Sequence, residues 1–79
     1  MTPSSILFAQ NLPAECTDAA LSMLFKVHAG FREVRIVPGK PGIAFIEFED
    51  ELKATTALQG LNGFKLTHTD VMALSYAKR

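Results

Sequence analysis

"PGIAFIEF", residues 41–48, sets the reading of this chain. The stretch "PGKPG" at 38–42 is turn chemistry, because proline presets one backbone angle and glycine accepts conformations closed to other residues. Beyond the turn the residues alternate. Ala44, Ile46 and Phe48 share one parity of a β-strand, and Ile43, Phe45 and Glu47 share the other. The first set is wholly apolar and belongs to a core. The second then points outward and carries a phenylalanine ring and a carboxylate to an open surface.

A companion strand lies at Ile6-Leu7-Phe8-Ala9, closed by Asn11-Leu12-Pro13. By the same parity Leu7 and Ala9 face inward, and Phe8 and Gln10 outward. Between the two strands, Thr17 or Asp18 can cap a helix with Leu21, Leu24, Phe25 and His28 on one stripe and Gly30 at its end. "FREVRIV" at 31–37 reads as a strand with Val34 and Ile36 on one face and Glu33 and Arg35 on the other. Glu49, Asp50 and Glu51 put negative charge where the dipole of a second helix favours it. That helix buries Leu52, Ala54, Ala57, Leu58 and Leu61, "LNG" at 61–63 breaks it, and "VMALSYA" at 71–77 is the last strand.

The resulting order is βαββαβ. It predicts an α+β, ferredoxin-like fold: a four-stranded antiparallel sheet with two helices on one face and the other face uncovered. The expected core is Leu7, Leu21, Leu24, Phe25, Val34, Ile36, Ala44, Ile46, Phe48, Leu52, Ala57, Leu58 and Tyr76. Residues 1–4 read as a linker or tag remnant and 5–79 as one domain, with no repeat or low-complexity tract.

The 79 residues are 48% apolar, ample for one small core. Cys16 is the sole cysteine, so no intrachain disulfide or multi-cysteine metal site can form, and a reducing compartment is expected. No apolar run approaches the roughly 18–20 residues that span a bilayer, and no charged-then-apolar leader opens the chain. Eight Lys/Arg balance eight Asp/Glu. Affinity for nucleic acid rests largely on neutralised phosphates, so a neutral domain starts without that contribution.

"LFAQNL" (7–12) and "PGIAFIEF" (41–48) resemble the hexamer and octamer of RNA recognition motifs. The octamer runs basic residue, glycine, aromatic, small residue, aromatic, aliphatic, any residue, aromatic. "LSMLF" (21–25), "FREVRIVPG" (31–39), "IAFIEF" (43–48), "GFKLT" (63–67) and the closing "YAKR" narrow the resemblance. They look like the second, C-terminal recognition motif of the spliceosomal U1 small nuclear ribonucleoprotein A and U2 small nuclear ribonucleoprotein B-double-prime family. The resemblance covers essentially the whole chain. It implies one motif of a two-motif nuclear protein of pre-mRNA splicing, in which the first motif binds the small nuclear RNA hairpin and the second binds RNA poorly.

The resemblance carries over to individual positions with departures. Phe8 and Phe45 hold two stacking positions, where exposed rings receive unpaired bases at about 1–3 kcal/mol per base. Ile43 holds the third without a ring, Pro41 replaces the cation that would meet a phosphate, and Glu47 puts an acid on the open face. The turn at 38–42 is too short for the long basic loop with which the family's first motif threads a hairpin. The candidate RNA-contacting set is therefore Phe8, Gln10, Arg35, Ile43, Phe45, Ser75 and Lys78, with weak binding of single-stranded small nuclear RNA or pre-mRNA expected.

Each assignment has a plainer counterpart. Phe8 and Phe45 could be ordinary surface aromatics of a sheet. If the second and third strands pair about Lys40, Arg35 stands opposite Phe45, either as a cation over a ring, worth roughly 0.5–1 kcal/mol, or as a solvated charge. Lys78 and Arg79 could meet phosphates or be mobile chain ends. His28 and His68 lack ligand spacing, Cys16 reads as an ordinary thiol, and the acids at 47–51 as a helix start. Acylphosphatases share the βαββαβ order, but their phosphate-cradling arginine has no counterpart in the cation-free loop 10–15, and no nucleophile–histidine set exists, so no catalysis is expected. No cofactor, metal or membrane partner is expected, and the domain reads as a monomer in the nucleus. The alternative reading is a protein-interaction module, with spliceosomal protein partners, that touches RNA little or not at all.

Overall fold

A computed structural model describes residues 2–78. Six elements run in the order β1 (Ile6–Gln10), α1 (Asp18–Phe25), β2 (Phe31–Ile36), β3 (Ala44–Phe48), α2 (Glu51–Leu61) and β4 (Ala73–Tyr76). They form one sheet of order β2-β3-β1-β4, every neighbouring pair antiparallel. This is the ferredoxin-like arrangement that the hydrophobic periodicity predicts.

The helices start where side chains can satisfy their free amides. Thr17 Oγ1 accepts the Ala20 N–H at 3.1 Å, and Asp50 Oδ1 accepts that of Lys53 at 2.8 Å. Against the sheet they bury Leu21 and Phe25 from α1 and Ala54, Ala57 and Leu61 from α2. The inward parity of the strands supplies Leu7, Ala9, Ala44, Ile46, Phe48 and Leu74, and Leu12 and Met72 complete the core. Leu24, Val34, Ile36, Leu58 and Tyr76 pack against it half-buried. Phe48 is the aromatic hinge of this layer, edge-on to Phe25 at 6.3 Å and to Phe31 at 6.0 Å between ring centroids. The Tyr76 hydroxyl leaves the apolar layer at its margin and shares a 2.6 Å hydrogen bond with Thr55 Oγ1.

Three expectations are corrected. Leu52 is 74% exposed, not core. With Asp50 as cap, the buried stripe of α2 runs through Ala54, Ala57, Leu58 and Leu61, and a residue two positions before Ala54 falls on the opposite side at 3.6 residues per turn. His28 is not on α1, which ends at Phe25. The Lys26 N–H still bonds to Ser22 O, the His28 N–H turns back to Phe25 O, and the chain leaves through Gly30 at φ +85°. A Cβ at Gly30 would stand 2.8 Å from Lys53 Cγ, so this turn needs both the backbone freedom and the missing side chain. The last strand is shorter than expected: Val71 belongs to a separate bridge with Lys65, and strand pairing resumes at Ala73.

The register of β2 slips between Phe31 and Glu33. Arg32 is the extra residue of this bulge, and one extra residue reverses the facing of everything before it. Phe31 thereby joins the core, although simple alternation would send it out with Glu33 and Arg35. At the other end of the sheet Ser4 is buried, its Oγ accepting the Ile6 N–H at 3.1 Å, and Ser5 O accepts the Phe48 N–H at 2.8 Å.

Candidate nucleic-acid interface

Cross-strand register, more than any loop, builds the open face. Phe8 on β1 stands directly opposite Phe45 on β3. On the far side of Phe45 is Arg35 of β2, and on the far side of Phe8 is Ser75 of β4. One row across all four strands therefore reads Arg35, Phe45, Phe8, Ser75. The two rings are half-buried, with centroids 5.2 Å apart and planes inclined by 37°. Such a pair stabilises the sheet as a cross-strand contact, and its outer faces remain available to flat, unpaired bases.

The neighbouring row holds the charges. Glu33, Glu47 and Ile6 are register partners across β2, β3 and β1. Two acids directly opposite each other repel, and Arg35 stands between them. Its Nε lies 3.4 Å from Glu33 Oε2 and its Nη2 3.9 Å from Glu47 Oε1. The predicted opposition of residues 35 and 45 holds, while the guanidinium itself is drawn to carboxylates. These are exposed pairs worth at most about 1 kcal/mol, but they compete with any phosphate for the same cation.

On the other side of the ring pair, Gln10 is exposed and pairs with Ala73 of β4. Ile43, half-buried, immediately precedes β3, and the Leu12 N–H to Gly42 O bond ties this end of β3 to the chain leaving β1. Lys78 is exposed just beyond β4 and lines, with Ile6, Arg35, Val37, Phe45 and Ala77, a shallow depression of about 450 Å³. Arg79 lies outside the described residues, as does Met1. Phe8, Phe45, Arg35 and Ser75 are thus brought into one row, Gln10 and Ile43 flank it, and Lys78 borders it. The candidate set omits Ile6 and Val37, which the parity of Phe8 and of Arg35 points to directly.

Among the described residues no three His, Cys, Asp or Glu side chains are grouped to hold a metal ion. Burial, and then the charge of Glu15, raises the Cys16 thiol above its ordinary pKa, which disfavours the reactive thiolate. Among the described residues no helix is long and apolar enough to cross a membrane.

An antiparallel sheet carrying an aromatic pair on its two central strands, over a βαββαβ core, defines a class of nucleic-acid-binding domain. The chain belongs to the RNA recognition motif family, whose sequence profile matches residues 7–72. Its similarity to individual proteins is narrower. It is 54% identical over 77 residues, 98% of its length, to the U2 small nuclear ribonucleoprotein B'' of Oryza sativa subsp. japonica, of which it covers 33%. It is 48% identical, again over 98% of its length, to the U1 small nuclear ribonucleoprotein A of Drosophila melanogaster, of which it covers 36%. The chain thus spans about a third of the length of these relatives. Among solved structures, the MEC-8 C-terminal RRM domain bound to AGCACA superposes with a TM-score of 0.82 at 32% identity, over 99% of this chain and 95% of that one.

Proposed function

We propose that this domain is an RNA recognition module of a nuclear spliceosomal small nuclear ribonucleoprotein, non-catalytic and monomeric, that binds single-stranded RNA weakly through its open sheet face. The observation that carries the reading is the Phe8–Phe45 pair, opposed across β1 and β3 with 5.2 Å between ring centroids. Resemblance to the U1 A and U2 B'' proteins supports the spliceosomal setting. Weakness follows from electrostatics. The chain has no net charge, Arg35 is shared between two acids, Pro41 stands where a phosphate-binding cation is usual, and Ile43 stacks less well than a ring. Dissociation constants no tighter than about micromolar are expected at physiological salt.

The test is titration of the isotopically labelled domain with a pool of short single-stranded RNAs. Shifts centred on residues 8, 10, 43, 45 and 75 support the reading. Nanomolar affinity would overturn the weakness, and an inert sheet face would overturn RNA binding itself. In the latter case a second reading gains ground, a protein-interaction module. It is favoured by Met23 on α1 and Val27 just beyond it, four residues apart and 66% and 77% exposed, which give that side of the domain an apolar surface.

A further inference from the structure

Glu47 weakens the platform's hold on phosphate, yet its placement is specific. It lies two residues beyond Phe45 on the same face of β3, about 6.5 Å along the strand. Its side chain is 30% exposed, so part of it rests against protein. Among the described residues its one partner is Arg35, at 3.9 Å, beyond hydrogen-bond distance, while Glu33 holds the same guanidinium more closely, at 3.4 Å. Glu47 is therefore a part-buried acceptor with unspent capacity, standing at the edge of a stacking ring.

We infer that Glu47 selects the base that stacks on Phe45, and that it selects guanine. The inference rests on the stacking platform proposed above. A carboxylate offers acceptors only. The pairing edge of uracil presents a single N–H between two carbonyl oxygens, both of which a carboxylate repels. Cytosine and adenine each offer one amino group beside a ring-nitrogen acceptor. Guanine alone presents two adjacent donors, N1–H and the N2 amino group, which match the two oxygens of one carboxylate. Charge-assisted, two-pronged pairs of this kind are the strong and geometrically selective ones. Arg35 contributes as a positioning residue: its loose pair with Oε1 biases the carboxylate's orientation without occupying it. The acid that lowers general affinity for phosphate thereby confers discrimination between bases.

Four heptamers, UUUUUUU, UUUGUUU, UUUAUUU and UUUCUUU, are titrated into the labelled domain at low salt. The guanine strand is expected to bind about tenfold more tightly than the uracil strand, at the lower end of the discrimination a two-pronged base contact provides. In Glu47→Gln that preference falls to within about twofold while the uracil strand binds better than before, because an acid has gone and an amide donor has arrived. Glu33→Gln is the control: it removes an acid from the same row and leaves the guanine preference standing. Equal binding of the four strands by the unaltered domain, a preference that survives Glu47→Gln, or one lost equally in Glu33→Gln would each overturn the inference and leave the platform intact. Failure of all four strands to bind would overturn the platform itself, and the selection with it.

Discussion

The imidazole of His28 lies against the backbone of Gly60, where an added Cβ would stand 3.1 Å from Cε1 and 3.6 Å from Nε2. The turn after α1 thus rests on the last turn of α2, and a glycine inside a helix is what admits it. Glycine there costs the helix about 0.5–1 kcal/mol relative to alanine. Gly60→Ala alone should give no gain in stability, or a small loss, because the ring must move. Made in a His28→Ala background, the same change should stabilise by about 0.5–1 kcal/mol. Urea unfolding of the four proteins of this cycle measures the coupling, and simple additivity would show that the contact is inconsequential.

Phe25 is fully buried beneath Phe48. Phe25→Ala should cost about 3–5 kcal/mol, enough to threaten folding of so small a domain. Thermal unfolding followed by circular dichroism is the check, and a well-folded alanine variant would contradict the packing of α1 against the sheet.

The RNA surface should be repairable by reversing its departures. Pro41→Arg adds a phosphate contact, Ile43→Tyr adds a ring, and Glu47→Gln removes an acid. Against a pyrimidine-rich strand the triple variant should bind measurably more tightly than the unaltered domain. Across a salt series, Pro41→Arg should steepen the dependence by about one unit and Ile43→Tyr should leave it nearly unchanged. An intact fold with no gain in affinity would favour the protein-interaction reading.

Cys16 should alkylate slowly. Partial burial and the nearby Glu15 both oppose the thiolate, so at any pH below its raised pKa less of the reactive form is present than in a free cysteine. The iodoacetamide rate at neutral pH should fall below that of glutathione, and Glu15→Gln should recover part of the difference. Equal rates would show the thiol to be unperturbed.

The periodicities of the sequence suffice for the element order, the inward parity of the strands and the ring pair, because two-residue alternation and 3.6-residue spacing are local signals. The register opposing Arg35 to Phe45 is legible too, since a short Pro-Gly turn leaves little freedom in pairing β2 with β3. Three features escape. The facing of Phe31 depends on the bulge at Arg32, which has no signature in composition. The exposure of Leu52 follows from helical spacing once Ala54 faces the sheet, but apolar character alone assigns a leucine to the core before a small alanine. The orientation of the Arg35 guanidinium depends on Glu33 and Glu47 converging from two strands, which strand parity permits but does not dictate.

The sheet order β2-β3-β1-β4 places the two ring-bearing strands side by side at the centre, although α1 and β2 separate them along the chain. The platform is therefore a long-range product: no local segment contains it, and none of it exists until β1 has closed onto β3. Any opening of the domain that releases β1 separates Phe8 from Phe45 and parts β1 from its pairing with β4 as well. Recognition by this face is consequently all-or-none with folding, the amides of β1 and β3 should be among the last to exchange with solvent, and a bound strand would act as a clasp on the native state.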